Sequence, residues 1–127
     1  LQQLLRYLPS GVDYVCLQKE VRTSDQAALD ASAHIQSFSN ELNDFDVTAA
    51  LVECMDCVIS VDTSVAHLSA ALGQTTWILL PYVPDWRWLL DREDSPWYDS
   101  VKLFRQDADR SWPSVLTRMA TDLRRLF

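Results

Sequence analysis

Between residues 58 and 73 the chain reads VISVDTSVAHLSAALG, and four of its side chains carry groups that could meet an anion: Asp62, Thr63, Ser64 and His67. They fall where an apolar run gives way to an apolar-periodic one, so a strand is expected to run into a helix there. If Asp62 or Thr63 caps that helix, the free N–H groups of its first turn point beyond the strand end, and the helix dipole favours an anion at that spot. Thr63 and Ser64 add hydroxyl donors. His67, one turn on, lies on the same side as Ser64 and can donate to an oxygen. The chemistry this suits is the cradling of a diphosphate. The same residues also suit a plainer use, in which Asp62 to Ser64 only cap a helix and His67 is a satisfied core histidine. The local pattern leaves both open.

A second group of chemically able residues follows in YVPDWRWLLDREDSPWY (82–98). The aromatic faces of Trp86, Trp88 and Trp97 beside Asp85 and Arg87 suit stacking on a base or a sugar, with Arg87 available for a phosphate or carboxylate. Equally, these rings could fill a loop-helix packed on the sheet. The acidic, mixed-charge DREDSPW portion reads as solvated. Gln18 and Lys19 follow a strand end and are candidate nucleotide contacts, although a lone Lys is usually solvated. Asp44 and Asp46 read as turn and cap rather than a catalytic pair, and neither a metal nor a bound cofactor is expected. Gly11 and Gly73 are the only glycines, so the chain holds neither a GxGxxG fingerprint nor a P-loop.

Cys16, Cys54 and Cys57 are an odd number of cysteines set in apolar segments, which suits a reducing, cytoplasmic compartment better than a disulfide framework. Cys54 and Cys57 form a CxxC without a second ligand pair, and with Cys54 ending a helical pattern rather than opening one. That arrangement reads as structural.

The elements that must position these groups alternate along the chain. VDYVCL (12–17), CVISV (57–61), TTWILL (75–80) and VKLF (101–104) are short apolar runs of the kind buried on both faces of a sheet, and HIQSFS (34–39) is a weaker strand candidate. Between them, residues 24–34 are weakly helical. Val47, Ala50, Leu51 and Cys54 follow a helical spacing behind Asp46 as expected N-cap, and Val65, Leu68 and Leu72 mark a helix that Gly73 should stop. A final helix opens near Ser111 with Pro113 in its first turn and ends in Arg124 and Arg125, which complement its dipole. This βαβαβ rhythm without hairpin signals implies an α/β fold: a parallel sheet with helices on both faces, whose ligands sit at the carboxyl ends of the strands.

With 127 residues, 48% of them hydrophobic, the chain suits one domain with a real core. A formal net charge of −7 argues against a nucleic-acid surface, which needs concentrated Lys and Arg. No apolar run approaches the roughly 20 residues that span a bilayer, and no basic-then-apolar leader opens the sequence. The chain begins within a helical pattern (Leu1, Leu4, Leu5, Leu8), so a C-terminal fragment of a longer chain is expected.

DTSVAHLSAALG preceded by VISV resembles the DTGxxHxxAALG signature in the C-terminal half of heptosyltransferase-like glycosyltransferases (family 9). It is more similar still to the variant in bacterial tetratricopeptide-repeat proteins that carry a glycosyltransferase-like domain. The likeness extends through LQKE, DFDVTAALVECMDCVISVD, LLPYVPDWRWLLDREDSPWY and LFRQ, covering roughly residues 12–120. It implies one Rossmann-like half of a GT-B fold, the half that binds the nucleotide-sugar donor of an inverting, metal-independent transferase. Asp62, Thr63, Ser64 and His67 would then contact the diphosphate or donor sugar, with His67 stabilising the leaving group. Gln18, Lys19, Asp85, Trp86 and Arg87 would lie near the base, ribose or sugar. Partners implied are the donor, an N-terminal GT-B half that carries the catalytic base and acceptor site, and tetratricopeptide repeats. This half alone would not turn over. Ser64 stands where the heptosyltransferase form has Gly, and an upstream basic residue of the family has no counterpart here. A non-catalytic binding or scaffold module is the alternative.

Overall fold

The computed structural model describes residues 1–90 and 92–127. Asp91, the first residue of the acidic segment, lies outside the described residues. In chain order the elements are α1 (Gln2–Leu5), β1 (Tyr14–Cys16), α2 (Thr23–Asp30), β2 (Ile35–Ser37), α3 (Phe45–Glu53), β3 (Val58–Val61), α4 (Ser64–Ala71), β4 (Thr76–Leu80), a short 3-10 turn (Trp86–Trp88), β5 (Val101–Arg105) and α5 (Trp112–Leu126). All the strand pairings are parallel, as the alternation of strand and helix requires.

β4 lies in the middle of a three-stranded sheet of order β3-β4-β5, and all five of its residues are buried. Successive side chains of a strand point to opposite faces, and here each face has its own cover. Ile78 and Leu80 join Val101 and Leu103 of β5 in a cluster closed by Ala66 and Ala70 of α4 and by Trp88. Trp77 and Leu79 join Phe104 in a second cluster closed by Val115, Leu116, Met119 and Leu123 of α5. Helices on both faces explain why β4 is apolar from Trp77 to Leu80 rather than alternating. A buried hydroxyl pair, Ser69 to Thr76 at 2.7 Å, fastens α4 to β4 where the contact is polar.

The single sheet expected from sequence is divided. β1 and β2 form a two-stranded ladder of their own, three residues long. What joins it to the rest is side-chain packing, since half-buried Tyr14 of β1 lies against the α5-side cluster. The Tyr14 hydroxyl donates to the Pro9 carbonyl at 2.7 Å, and burial pushes its pKa up. Strands of three residues give few ladder bonds, which leaves packing to decide how the two sheets meet.

Helix ends follow local chemistry. α3 is capped by Asp44, whose carboxylate accepts from the Val47 N–H at 2.9 Å, and not by Asp46, which sits in the first turn and complements the dipole instead. α4 is capped by Thr63 and ends at Gly73, whose φ of +77° suits a residue without a Cβ. There the Gly73 N–H reaches the Ala70 carbonyl and the Gln74 N–H reaches that of Ser69, the paired bonds of a Schellman stop.

Candidate functional site

The site grows from the junction of β3 and α4. The Thr63 hydroxyl accepts from the Ala66 N–H at 3.4 Å and so caps the helix. Ser60 donates its own proton to the Val61 carbonyl at 2.8 Å, which leaves it to accept from Thr63 at 3.0 Å. The Thr63 hydroxyl is therefore used on both sides within the protein. The N–H groups of Ser64 and Val65, in the first turn, lack intrahelical acceptors, and Ser64 itself is exposed.

One turn along, His67 is held from three directions. Its Nε2 meets the Asp62 carboxylate at 2.9 Å, its Nδ1 meets the Tyr98 hydroxyl at 3.3 Å, and its ring stacks on Trp88 at 5.2 Å and 23°. A carboxylate only accepts, so Nε2 carries a proton. In the neutral ring Nδ1 then accepts, and Tyr98 donates. The result is a chain Tyr98–His67–Asp62 with a fixed tautomer, of the kind in which one partner of a histidine orients the other. The side chains of His67 and Asp62 are 29% and 28% exposed, so the pair stands at the surface within reach of a solute.

Trp88, fully buried, forms the floor under His67. Its indole nitrogen has no hydrogen-bond partner among the described residues, a burial that costs about 1 to 3 kcal/mol. What holds the ring there is the wiring of the loop. Asp85 accepts from the Arg87 N–H at 3.0 Å and starts the 3-10 turn. Leu89 ends it at a φ of +57°, a left-handed conformation unfavourable for a branched residue, so that the chain reverses directly after Trp88. Arg105 of β5 donates to the carbonyls of Trp88 and Arg92, and the Leu103 N–H donates to Glu93 at 2.6 Å. The sequence expectation of a loop or loop-helix is thus resolved as one turn of helix in a loop pinned along β5.

Trp86 and Trp97 are treated differently from Trp88, with 70% and 59% of their surface exposed. They, Arg87, His67 and Tyr98 line a depression of about 300 Å³. Arg87 lies over the Trp86 ring at 5.5 Å and pairs with Asp85 at 3.3 Å, while the Trp97 indole donates to the Arg87 carbonyl at 2.8 Å. A wider hollow of about 640 Å³ shares Trp97 and Tyr98 as lining and is bounded as well by Gly73 and Ser100.

Of the residues expected at a site, the structure brings Asp62, Thr63, Ser64 and His67 to the start of α4, and Trp86 and Arg87 into the depression beside it. Asp85 holds the turn that presents them. Gln18 and Lys19 are exposed beyond β1 in the other sheet and line neither hollow. Sequence reasoning missed Tyr98 and Ser60. Tyr98 lies 31 residues from His67, and no local periodicity links them. Only the crossover from β4 to β5 brings it back, and the signal was present in SPWY as an aromatic just ahead of β5.

Among the described residues no three His, Cys, Asp or Glu side chains converge as metal ligands. The three cysteines are free thiols. Cys54 caps the end of α3 and is exposed. Burial, helped by the Asp56 carboxylate, pushes the Cys57 thiol up to about 12, which suppresses its thiolate and its reactivity. No helix of the described residues is long and apolar enough to cross a membrane. No protein-family profile, curated protein or solved structure matches this chain.

Proposed function

We propose that this chain is the nucleotide-sugar-binding half of an inverting, metal-independent glycosyltransferase of the heptosyltransferase-like kind, acting in the bacterial cytoplasm beside an N-terminal half and tetratricopeptide repeats. The observation that supports it is one of position. A helix N-terminus lies at the carboxyl end of β3, with His67 fixed one turn along as a wall of a depression that also holds Arg87. A donor diphosphate would meet the Ser64 hydroxyl and the first-turn N–H groups of α4. His67 would take part as the imidazolium, whose Nδ1–H donates to a ligand oxygen in place of the Tyr98 hydroxyl while Asp62 keeps the ring oriented. As the glycosidic bond breaks, charge grows on the diphosphate, and donors already aimed at it lower the barrier.

A second reading, a scaffold module that binds no donor, draws on one specific observation: both ring nitrogens of His67 and the Thr63 hydroxyl are already engaged inside the protein. Titration calorimetry with UDP, ADP, GDP and CDP separates the two. The donor reading expects saturable binding of at least one nucleotide, weakened about tenfold or more by His67→Ala, as befits a hydrogen bond to a charged group. Flat heats for all four nucleotides, in this chain and in a longer one that includes an N-terminal half, would leave the scaffold reading.

A further inference from the structure

The loop between β4 and β5 holds three tryptophans in two opposed states. Trp88 is fully buried, with an indole nitrogen that has no partner among the described residues, while Trp86, two residues earlier, and Trp97 stay out in solvent. Exposed single apolar residues are ordinary. Here, however, two large rings flank the same depression, in a loop that is pinned rather than loose: Arg105 and Leu103 tie it to β5, and Trp97 ties its own ends together through the Arg87 carbonyl. Leu89 adds a backbone conformation that opposes folding, and strain of this sort persists where the surroundings impose it. The rings are thus preorganised, which removes much of the ordering entropy from any binding event.

The chemistry of the walls narrows the occupant. The Trp97 indole N–H is already committed to a carbonyl, so this ring offers its face and edge but no hydrogen bond. One face of Trp86 is taken by the Arg87 guanidinium, which leaves the opposite face for a flat partner. The guanidinium gives one of its five N–H donors to Asp85, and His67 stands at the end nearest α4. A ligand that fits must carry a flat ring for the tryptophans and an anionic group for the arginine.

We infer that the Trp86–Trp97 slot is the base-stacking subsite for a nucleoside diphosphate, with the base held between exposed indole faces and the phosphates directed toward Arg87 and the start of α4. This rests on the donor reading above and extends it, by choosing between the two sets of base contacts expected from sequence: the aromatic loop, and not Gln18 and Lys19, which lie beyond the other sheet. Recognition of this kind is tolerant of which base is bound, because every base has a face to stack.

The test compares ligands that do and do not carry a base. Wild-type chain, Trp86→Ala and Trp86→Phe are titrated with the nucleoside diphosphate that binds best, and with inorganic pyrophosphate. Trp86 is exposed, so its removal leaves the core intact. The slot predicts that Trp86→Ala weakens the nucleoside diphosphate by about tenfold or more, that Trp86→Phe restores most of the loss, and that pyrophosphate binds all three alike. It also predicts quenching of tryptophan fluorescence by the nucleotide and not by pyrophosphate. Unchanged nucleotide affinity in Trp86→Ala, or an equal loss for pyrophosphate, would overturn the slot while leaving the donor reading in place. Absence of nucleotide binding in every protein, including a longer chain with an N-terminal half, would overturn both.

Discussion

At the scale of single residues, the site is decided by which hydrogen-bond groups are left over after the protein has satisfied itself. Thr63, which looks from its spacing like a phosphate ligand, has its hydroxyl occupied by Ser60 and by the Ala66 N–H. His67 is set by Asp62 on one nitrogen and Tyr98 on the other. This arrangement has a spectroscopic consequence. In mildly alkaline buffer the imidazole nitrogens of His67 should report a single Nε2–H tautomer, and Asp62→Ala should turn this into a mixture, read from the nitrogen chemical shifts. An unchanged tautomer in Asp62→Ala would show that Tyr98 and the Trp88 stack fix the ring without the carboxylate. The Asp62, Thr63, Ser64, His67 grouping was legible in the sequence because all four belong to one turn and its approach. Tyr98 was not, because its partnership with His67 depends on a crossover connection that local patterns do not encode.

At the scale of elements, the chain's own punctuation placed most boundaries. Gly73 ended α4 where a left-handed residue was needed, and a continuous apolar run from Trp77 to Leu80 marked β4 because helices cover both of its faces. Where two acidic residues competed to cap α3, spacing alone pointed to Asp46 and the structure uses Asp44. The difference is which carboxylate reaches the N–H three residues on, a matter of backbone conformation just outside the helix. The Thr63 cap of α4 carries a prediction at this scale. Thr63→Val keeps the shape and removes the acceptor, so it should lower stability by about 1 kcal/mol and the melting temperature by roughly 3 to 6 °C, measured by calorimetry. No change would mean that the packing of Ala66 and Ala70 on β4 holds α4 in place unaided. The division of β1 and β2 from the main sheet was not legible, since strand propensity states that a segment is extended and leaves open which neighbour it pairs with.

At the scale of the whole molecule, the α5 face joins the two sheets and contains a titratable group with leverage on stability. Cys57, half-buried against this cluster, has a thiol that titrates at about 12 when folded, against 9.0 when free. A group whose folded pKa is raised contributes stability in its protonated form. That contribution is complete below pH 9.0 and is lost as pH rises through about 12. Urea unfolding followed across this window should therefore show stability falling more steeply with pH in the wild type than in Cys57→Ala, even though the alanine variant starts lower because of the cavity it leaves. Parallel slopes would show that Cys57 is not the source of the alkaline loss.

The separation into two ladders gives the native state a graded character. The β1–β2 ladder shares no backbone hydrogen bond with β3-β4-β5 among the described residues, so an opening that breaks the first leaves every bond of the second intact. Cooperative units of unequal stability arise in this way. The candidate site at the start of α4, together with the depression beside Trp86 and Trp97, belongs to the three-stranded unit, whereas Gln18 and Lys19 belong to the other. Fluctuations that come and go in the N-terminal ladder break no strand pairing beside His67, and the candidate surface can stay assembled through excursions in which the N-terminal ladder has briefly come undone.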